Sequence, residues 1–193
     1  MGRLLGDVRR VLHRRFLLLM LVLALFSIGA FNYSFILLKA GELGVSEPLI
    51  PLVYAAINVA HTIMGVPAGV LSDRIGGKQT LILGYSFFAA TAILCMTLPS
   101  QPIYAFLIAI TYGTYMGIAE TVQRALISRY APEGLRATAY GIYYLTVGGC
   151  LFTANLMVGS LWEFVGGNAA FLYSTFTSIL SILGMAILTA YER

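Results

Sequence analysis

The sequence predicts an all-α membrane protein of six transmembrane helices with almost nothing outside the bilayer. Three observations lead there. The 193 residues are 59% hydrophobic and only 10% charged, with a mean hydropathy of +0.86, whereas soluble domains carry about a quarter charged residues. The apolar residues form runs of roughly 20, the length that crosses a bilayer as a helix. Six such runs use about 120 residues, which leaves short loops and one basic leader. A water-soluble globule and a disordered chain are both excluded, the second because so apolar a chain cannot stay solvated.

The first span runs from Phe16 to about Leu38, the second from about Leu49 to Leu71 and the third from about Thr80 to Leu98. The fourth covers about Ile103 to Ile127, the fifth Ala137 to Ser160 and the sixth Ala169 to Ala190. Each satisfies its backbone groups internally as a helix, which hydrocarbon requires. The sixth remains a span despite Ser174, Thr175, Thr177, Ser178 and Ser181, because such hydroxyls bond back onto their own helix. Residues 1–15 form the basic leader and residues 16–193 the bundle. The first run is too long for a signal peptide and lacks a small-residue cleavage site.

Of twelve Lys and Arg residues, Arg3, Arg9, Arg10, Arg14, Arg15, Arg74, Lys78, Arg129, Arg136 and Arg193 fall on one side of this topology. Lys39 falls on the other, and Arg124 lies within a span. By the positive-inside rule the crowded side is cytoplasmic, so both termini are inside and the number of spans is even. The leader reads as a topology determinant in contact with anionic lipid, or else as a partner-binding tail. The pI of 9.2 therefore reflects membrane orientation and not nucleic-acid binding. Cys95 and Cys150 sit in apolar runs without a disulfide or metal pattern.

Between spans two and three stands Gly69-Val-Leu-Ser-Asp73-Arg74-Ile-Gly76-Gly77-Lys78. Gly65 and Gly69 form a GxxxG pair suited to close helix approach. Asp73 suits a helix N-terminus, where the dipole favours a carboxylate. Arg74 and Lys78 hold the turn at the interface, and Gly76-Gly77 permits the reversal. This loop resembles the G-x-L-x-D-R-x-G-R-K signature of the major facilitator superfamily, with Gly77 in place of the usual arginine. The resemblance covers essentially the whole chain. Asn32-Tyr33-Ser34-Phe35 is similar to the first helix of a six-helix half. Tyr112-Gly113 to Glu120 with Arg124-Ala125-Leu126 is similar to a fourth helix, and Pro132 to Gly141 to the approach to a fifth. Two N-terminal-half signatures are missing, an arginine-rich fourth-helix motif and a fifth-helix Gly-Pro motif. The chain thus resembles the C-terminal half of a prokaryotic permease, three-plus-three helices with the leader as the end of a central linker.

Charge within a bilayer is costly, about 2.5–3.5 kcal/mol per central residue on insertion scales. Span four carries the one charged pair, Glu120 and Arg124, on a face shared with Gly113 and Gly117. The pair reads either as a titrating or solute-contacting carboxylate tuned by Arg124, or as a structural ion pair on a glycine-lined packing face. Span two aligns Asn58, His61, Thr62, Gly65 and Gly69, and span five aligns Gly141, Tyr144, Gly148, Asn155 and Gly159. Packing is the plainer reading of both stripes; in the resembling fold the same helices form the contact between halves. His61 reads as a proton carrier or as a neutral hydrogen-bonded histidine. Asn32 is a candidate cavity donor, and Tyr33, Tyr112 and Tyr115 form an aromatic wall or fill volume.

No nucleotide loop, metal spacing or catalytic set is present in the sequence, so neither enzyme, cofactor nor metal is expected. The resemblance implies a secondary transporter, or half of one, in the cell membrane, moving a small solute by alternating access. Its pathway candidates are Asn32, Asn58, His61, Tyr112, Tyr115, Glu120, Arg124 and Asn155, with protons as the candidate coupling ion. Its cytoplasmic gating loop is Gly69, Asp73, Arg74, Gly76 and Lys78. One half cannot enclose a two-sided pathway, so the expected partner is a second six-helix half: the same chain, a separate one or a fused one. The alternative is a non-transporting membrane scaffold or a truncated transporter.

Overall fold

The computed structural model describes residues 2–192, with side chains from residue 6 onward. The side chains of Arg3 and Arg193, both counted in the charge distribution, lie outside the described residues. All elements among the described residues are helical: α1 (Gly2–Val11), α2 (Arg14–Ser27), α3 (Tyr33–Glu42), a 3-10 turn (Glu47–Leu49), α4 (Ile50–Ile75), α5 (Gly77–Thr97), α6 (Pro102–Tyr130), α7 (Arg136–Phe164) and α8 (Gly167–Tyr191). Five of them, α4 to α8, are long and apolar enough to cross a membrane.

The first expected span is not one helix. The chain leaves α2 after Ser27 and enters α3 at Tyr33, which corrects the continuous Phe16–Leu38 span. The break is stabilised from neighbouring helices. The Tyr173 hydroxyl donates to the Ile28 carbonyl at 2.8 Å and the Tyr112 hydroxyl to the Phe31 carbonyl at 3.0 Å. Asn32 caps α3 by accepting from the Ser34 amide at 3.0 Å. At Gly29 a Cβ would stand 1.6 Å from Thr177 Oγ1, so α8 presses directly on the interruption. Interrupted backbone is tolerated within a bilayer when protein satisfies its freed groups. Tyr112→Phe is expected to cost about 0.5–1.5 kcal/mol, the net worth of a buried hydrogen bond; thermal melting in detergent measures it, and an unchanged midpoint would contradict this role.

The core is centred on α5, α6 and α8, while α4 and α7 expose most of their surface. Phe26 stacks on Tyr85 with ring centroids 3.7 Å apart, and Phe88 meets Phe26 edge-on at 5.1 Å. The closest helix seam joins α4 and α6. A Cβ at Gly113 would stand 2.3 Å from the Ile57 carbonyl oxygen, and one at Gly117 would stand 2.6 Å from that of His61. At Gly65 and Gly69 the nearest atoms would be Thr121 side-chain atoms at 3.8 and 3.9 Å, an ordinary contact. The close approach expected of Gly65 and Gly69 therefore belongs to Gly113 and Gly117.

Gly76, at φ +99°, makes the reversal from α4 into α5, in a backbone region that side chains disfavour. On α8, Thr175, Thr177, Ser178 and Ser181 each donate to carbonyls of the preceding turn, as their place in an apolar helix requires. The Ser174 hydroxyl is buried without a partner among the described residues.

Candidate functional site: an open-sided cavity beside the broken helix

The α2–α3 break borders a cavity of about 440 Å³ walled by α6 and α7. Six of the eight pathway candidates line it: Asn32, Tyr112, Tyr115, Glu120, Arg124 and Asn155. Phe26, Phe31 and Tyr33 add aromatic surface from the α2–α3 side. The cavity exists because α6 packs closely on α4 and α5 but only lightly on α7. Near one end the two walls are joined by Tyr140, which donates to the Arg124 carbonyl at 2.9 Å.

Glu120 accepts from Arg124 Nη2 at 2.9 Å, and His61 Nε2 of α4 stands 3.7 Å from the same carboxylate oxygen. The Gly113–Gly117 seam brings His61 this close, although His61 does not line the cavity. All three side chains are partly exposed. The carboxylate thus lies between an imidazole from α4 and a guanidinium on its own helix.

The amides are more occupied than their types suggest. Asn155 donates to the Leu151 carbonyl at 2.7 Å, and Asn32 uses its carbonyl oxygen as a helix cap. Asn58 donates to the Tyr54 carbonyl at 2.8 Å and lies outside the cavity lining, which removes it from this site. Gln123 and Tyr143 also line the cavity and are absent from the pathway candidates. Gln123 accepts from the Tyr143 hydroxyl at 2.6 Å and donates to the Tyr85 hydroxyl at 3.2 Å. The available signal was an uncharged amide in an apolar span, one turn from Glu120.

The gating-loop residues gather at the end of the bundle where α4 turns into α5. Asp73 accepts from Arg129 Nη2 of α6 at 3.1 Å. Arg74 is exposed beside it. Lys78 donates to Glu192, which also accepts from the Tyr130 hydroxyl at 2.5 Å, tying the loop to the ends of α6 and α8. Burial alone would raise the Glu192 pKa, but the bonds from Lys78 and Tyr130 and the charge of Arg15 together hold it below the usual value. The tie is therefore fully formed above the ordinary carboxylate range and lost only as pH falls below it.

Residues 17–193 match the family model of the Major Facilitator Superfamily. The chain belongs to the major facilitator superfamily. It is 32% identical to an uncharacterised MFS-type transporter of Methanocaldococcus jannaschii over 170 residues, covering 85% of this chain and 42% of that one. A second uncharacterised MFS-type transporter of that organism is 26% identical over 153 residues, 77% of this chain and 37% of the relative. A probable anion transporter 3, chloroplastic, of Arabidopsis thaliana is 29% identical over 104 residues, covering 53% and 20%. The chain spans less than half the length of these curated relatives. Its superfamily and these relatives are transporters, not enzymes, and with five apolar helices of crossing length the chain is a multi-pass membrane protein.

Proposed function

We propose that this chain forms one helical bundle of a secondary transporter, moving a small solute by alternating access. The observation that carries the reading is the aromatic-walled cavity, bearing Glu120 and Arg124, at the point where the first span is broken. Interrupted helices beside a mid-membrane cavity are how secondary transporters present backbone groups to a solute. Glu120, with His61 and Arg124 beside it, is the candidate for proton coupling. Tyr115, Gln123 and Asn155 are candidates for solute contact.

The cavity is open-sided, so a second bundle completes it. Gly141, Gly148 and Gly149 on α7 have no atom within 4 Å of an added Cβ, and α4 exposes Val59, Ile63 and Val66. These two faces would meet the second bundle, whether a fused half, a separate chain or a second copy. The end carrying Lys78 and Arg129 would face the cytoplasm, as would both termini, in the cell membrane.

Asp73 and Arg129 form the proposed latch at that end. The pair is well exposed, 76% and 56% for the two side chains, so its contribution to stability is small, about 0–1 kcal/mol. Asp73→Asn should then leave membrane insertion and melting unchanged while reducing solute uptake into proteoliposomes several-fold. Uptake at the wild-type rate would rule out the latch.

A further inference from the structure

A second cavity, of about 330 Å³, lies in the groove between α2 and α8, away from the proposed solute pathway. Its walls are Leu18, Leu21 and Val22 from α2 and Gly184, Ile187 and Leu188 from α8. Arg14 and Tyr191 close one end. The hollow exists because Gly184 has no side chain; a Cβ there would meet only Val22, at 3.4 Å. From Arg14 to Leu21, and from Tyr191 to Gly184, the groove runs about 10 Å at helical rise, well within one leaflet of a bilayer whose core is about 30 Å thick.

The polar end is built for an anion. The Arg14 guanidinium stands 5.4 Å from the centroid of the Tyr191 ring. Ring contact leaves the guanidinium N–H donors for a phosphate, which they match as a fork. Arg14 joins no ion pair among the described residues. Asp7 is the sole acid in residues 1–15, and Glu192 is engaged by Lys78 and Tyr130.

We infer that this groove is a binding site for an anionic phospholipid, with an acyl chain along Leu18, Leu21, Gly184 and Ile187 and the phosphate on Arg14. A lipid tail gains little by leaving other lipid tails, so selection falls to the headgroup. A basic side chain at the membrane surface favours an anionic lipid by about fivefold, equivalent to about 1 kcal/mol. This assignment does not depend on the transport reading.

The test uses the purified full chain in mixed micelles of phosphatidylglycerol and phosphatidylcholine, with retained lipid read by native mass spectrometry. Phosphatidylglycerol should be retained about fivefold over phosphatidylcholine. Arg14→Gln should abolish that preference, and Gly184→Leu, which fills the groove, should reduce retention of both lipids. Arg136→Gln, a basic residue outside the groove lining, should change neither. Arg14 is exposed, so its variant reports binding even if Gly184→Leu fails to fold. Equal retention of the two lipids, a preference that survives Arg14→Gln, or a cross-link from Leu21→Cys showing a polypeptide seated in the groove would each overturn the assignment.

Discussion

Gly113→Val is expected to break the seam between α4 and α6 and destabilise the whole bundle. The obstacle to a side chain at this position is the Ile57 carbonyl oxygen, 2.3 Å from the Cβ site, with the Ala60 Cβ at 2.8 Å. Backbone oxygen cannot swing aside as the end of a flexible side chain can, so the helices must separate. Overpacking costs about 1–3 kcal/mol where neighbours can yield, and this position should reach or exceed the upper value. Separation would also withdraw His61, whose carbonyl lies against Gly117, from Glu120. Melting in detergent should fall by about 6–12 °C for a loss of 3 kcal/mol in a chain of this size. Gly65→Ala is the comparator: its Cβ would make an ordinary contact with Thr121 at 3.8 Å and should cost within about 0.5 kcal/mol. Equal melting of the two variants would contradict the described seam.

If the proposed coupling runs through Glu120, Glu120→Gln should remove it and leave the fold intact. The amide matches the carboxylate in size and can still meet Arg124 and His61, but it carries no exchangeable charge. One pH unit is worth about 1.4 kcal/mol per co-transported proton, and so sustains about tenfold accumulation. In proteoliposomes carrying the bundle together with its second half, an imposed pH gradient should drive wild-type accumulation toward that ratio, and the variant should only equilibrate the solute. Gradient-driven accumulation by the variant would move coupling to another residue. Glu120 is met directly by Arg124, four residues along the same helix, and by His61 from α4.

The crossing helices were legible because hydrocarbon imposes a length and a composition that few other environments demand. The break in the first span was not, since residues 28–31 remain apolar and contain no proline. What interrupts that helix lies far away in sequence: Tyr112, Tyr173 and Thr177. The local trace was Asn32, a good helix cap directly before Tyr33. Spacing alone brought Glu120 and Arg124 together, whereas His61 joins them only through the tertiary contact of Gly113 and Gly117 with α4. GxxxG spacing occurs on both helices, at Gly65 and Gly69 and at Gly113 and Gly117. Nothing in the spacing reveals which pair touches backbone. The pairing of Lys78 with Glu192 spans 114 positions and has no local signature.

The central claim is that the space between α6 and α7 is a solute pathway open to water and not a lipid-filled crevice. Thiol accessibility tests it most directly. In a chain with Cys95 and Cys150 replaced by alanine, a cysteine is placed at Met116, which lines the cavity, or at Phe176, exposed on α8. A membrane-impermeant maleimide should label Met116→Cys and spare Phe176→Cys in intact membranes. Protection at residue 116, with labelling no faster than at residue 176, would contradict the account.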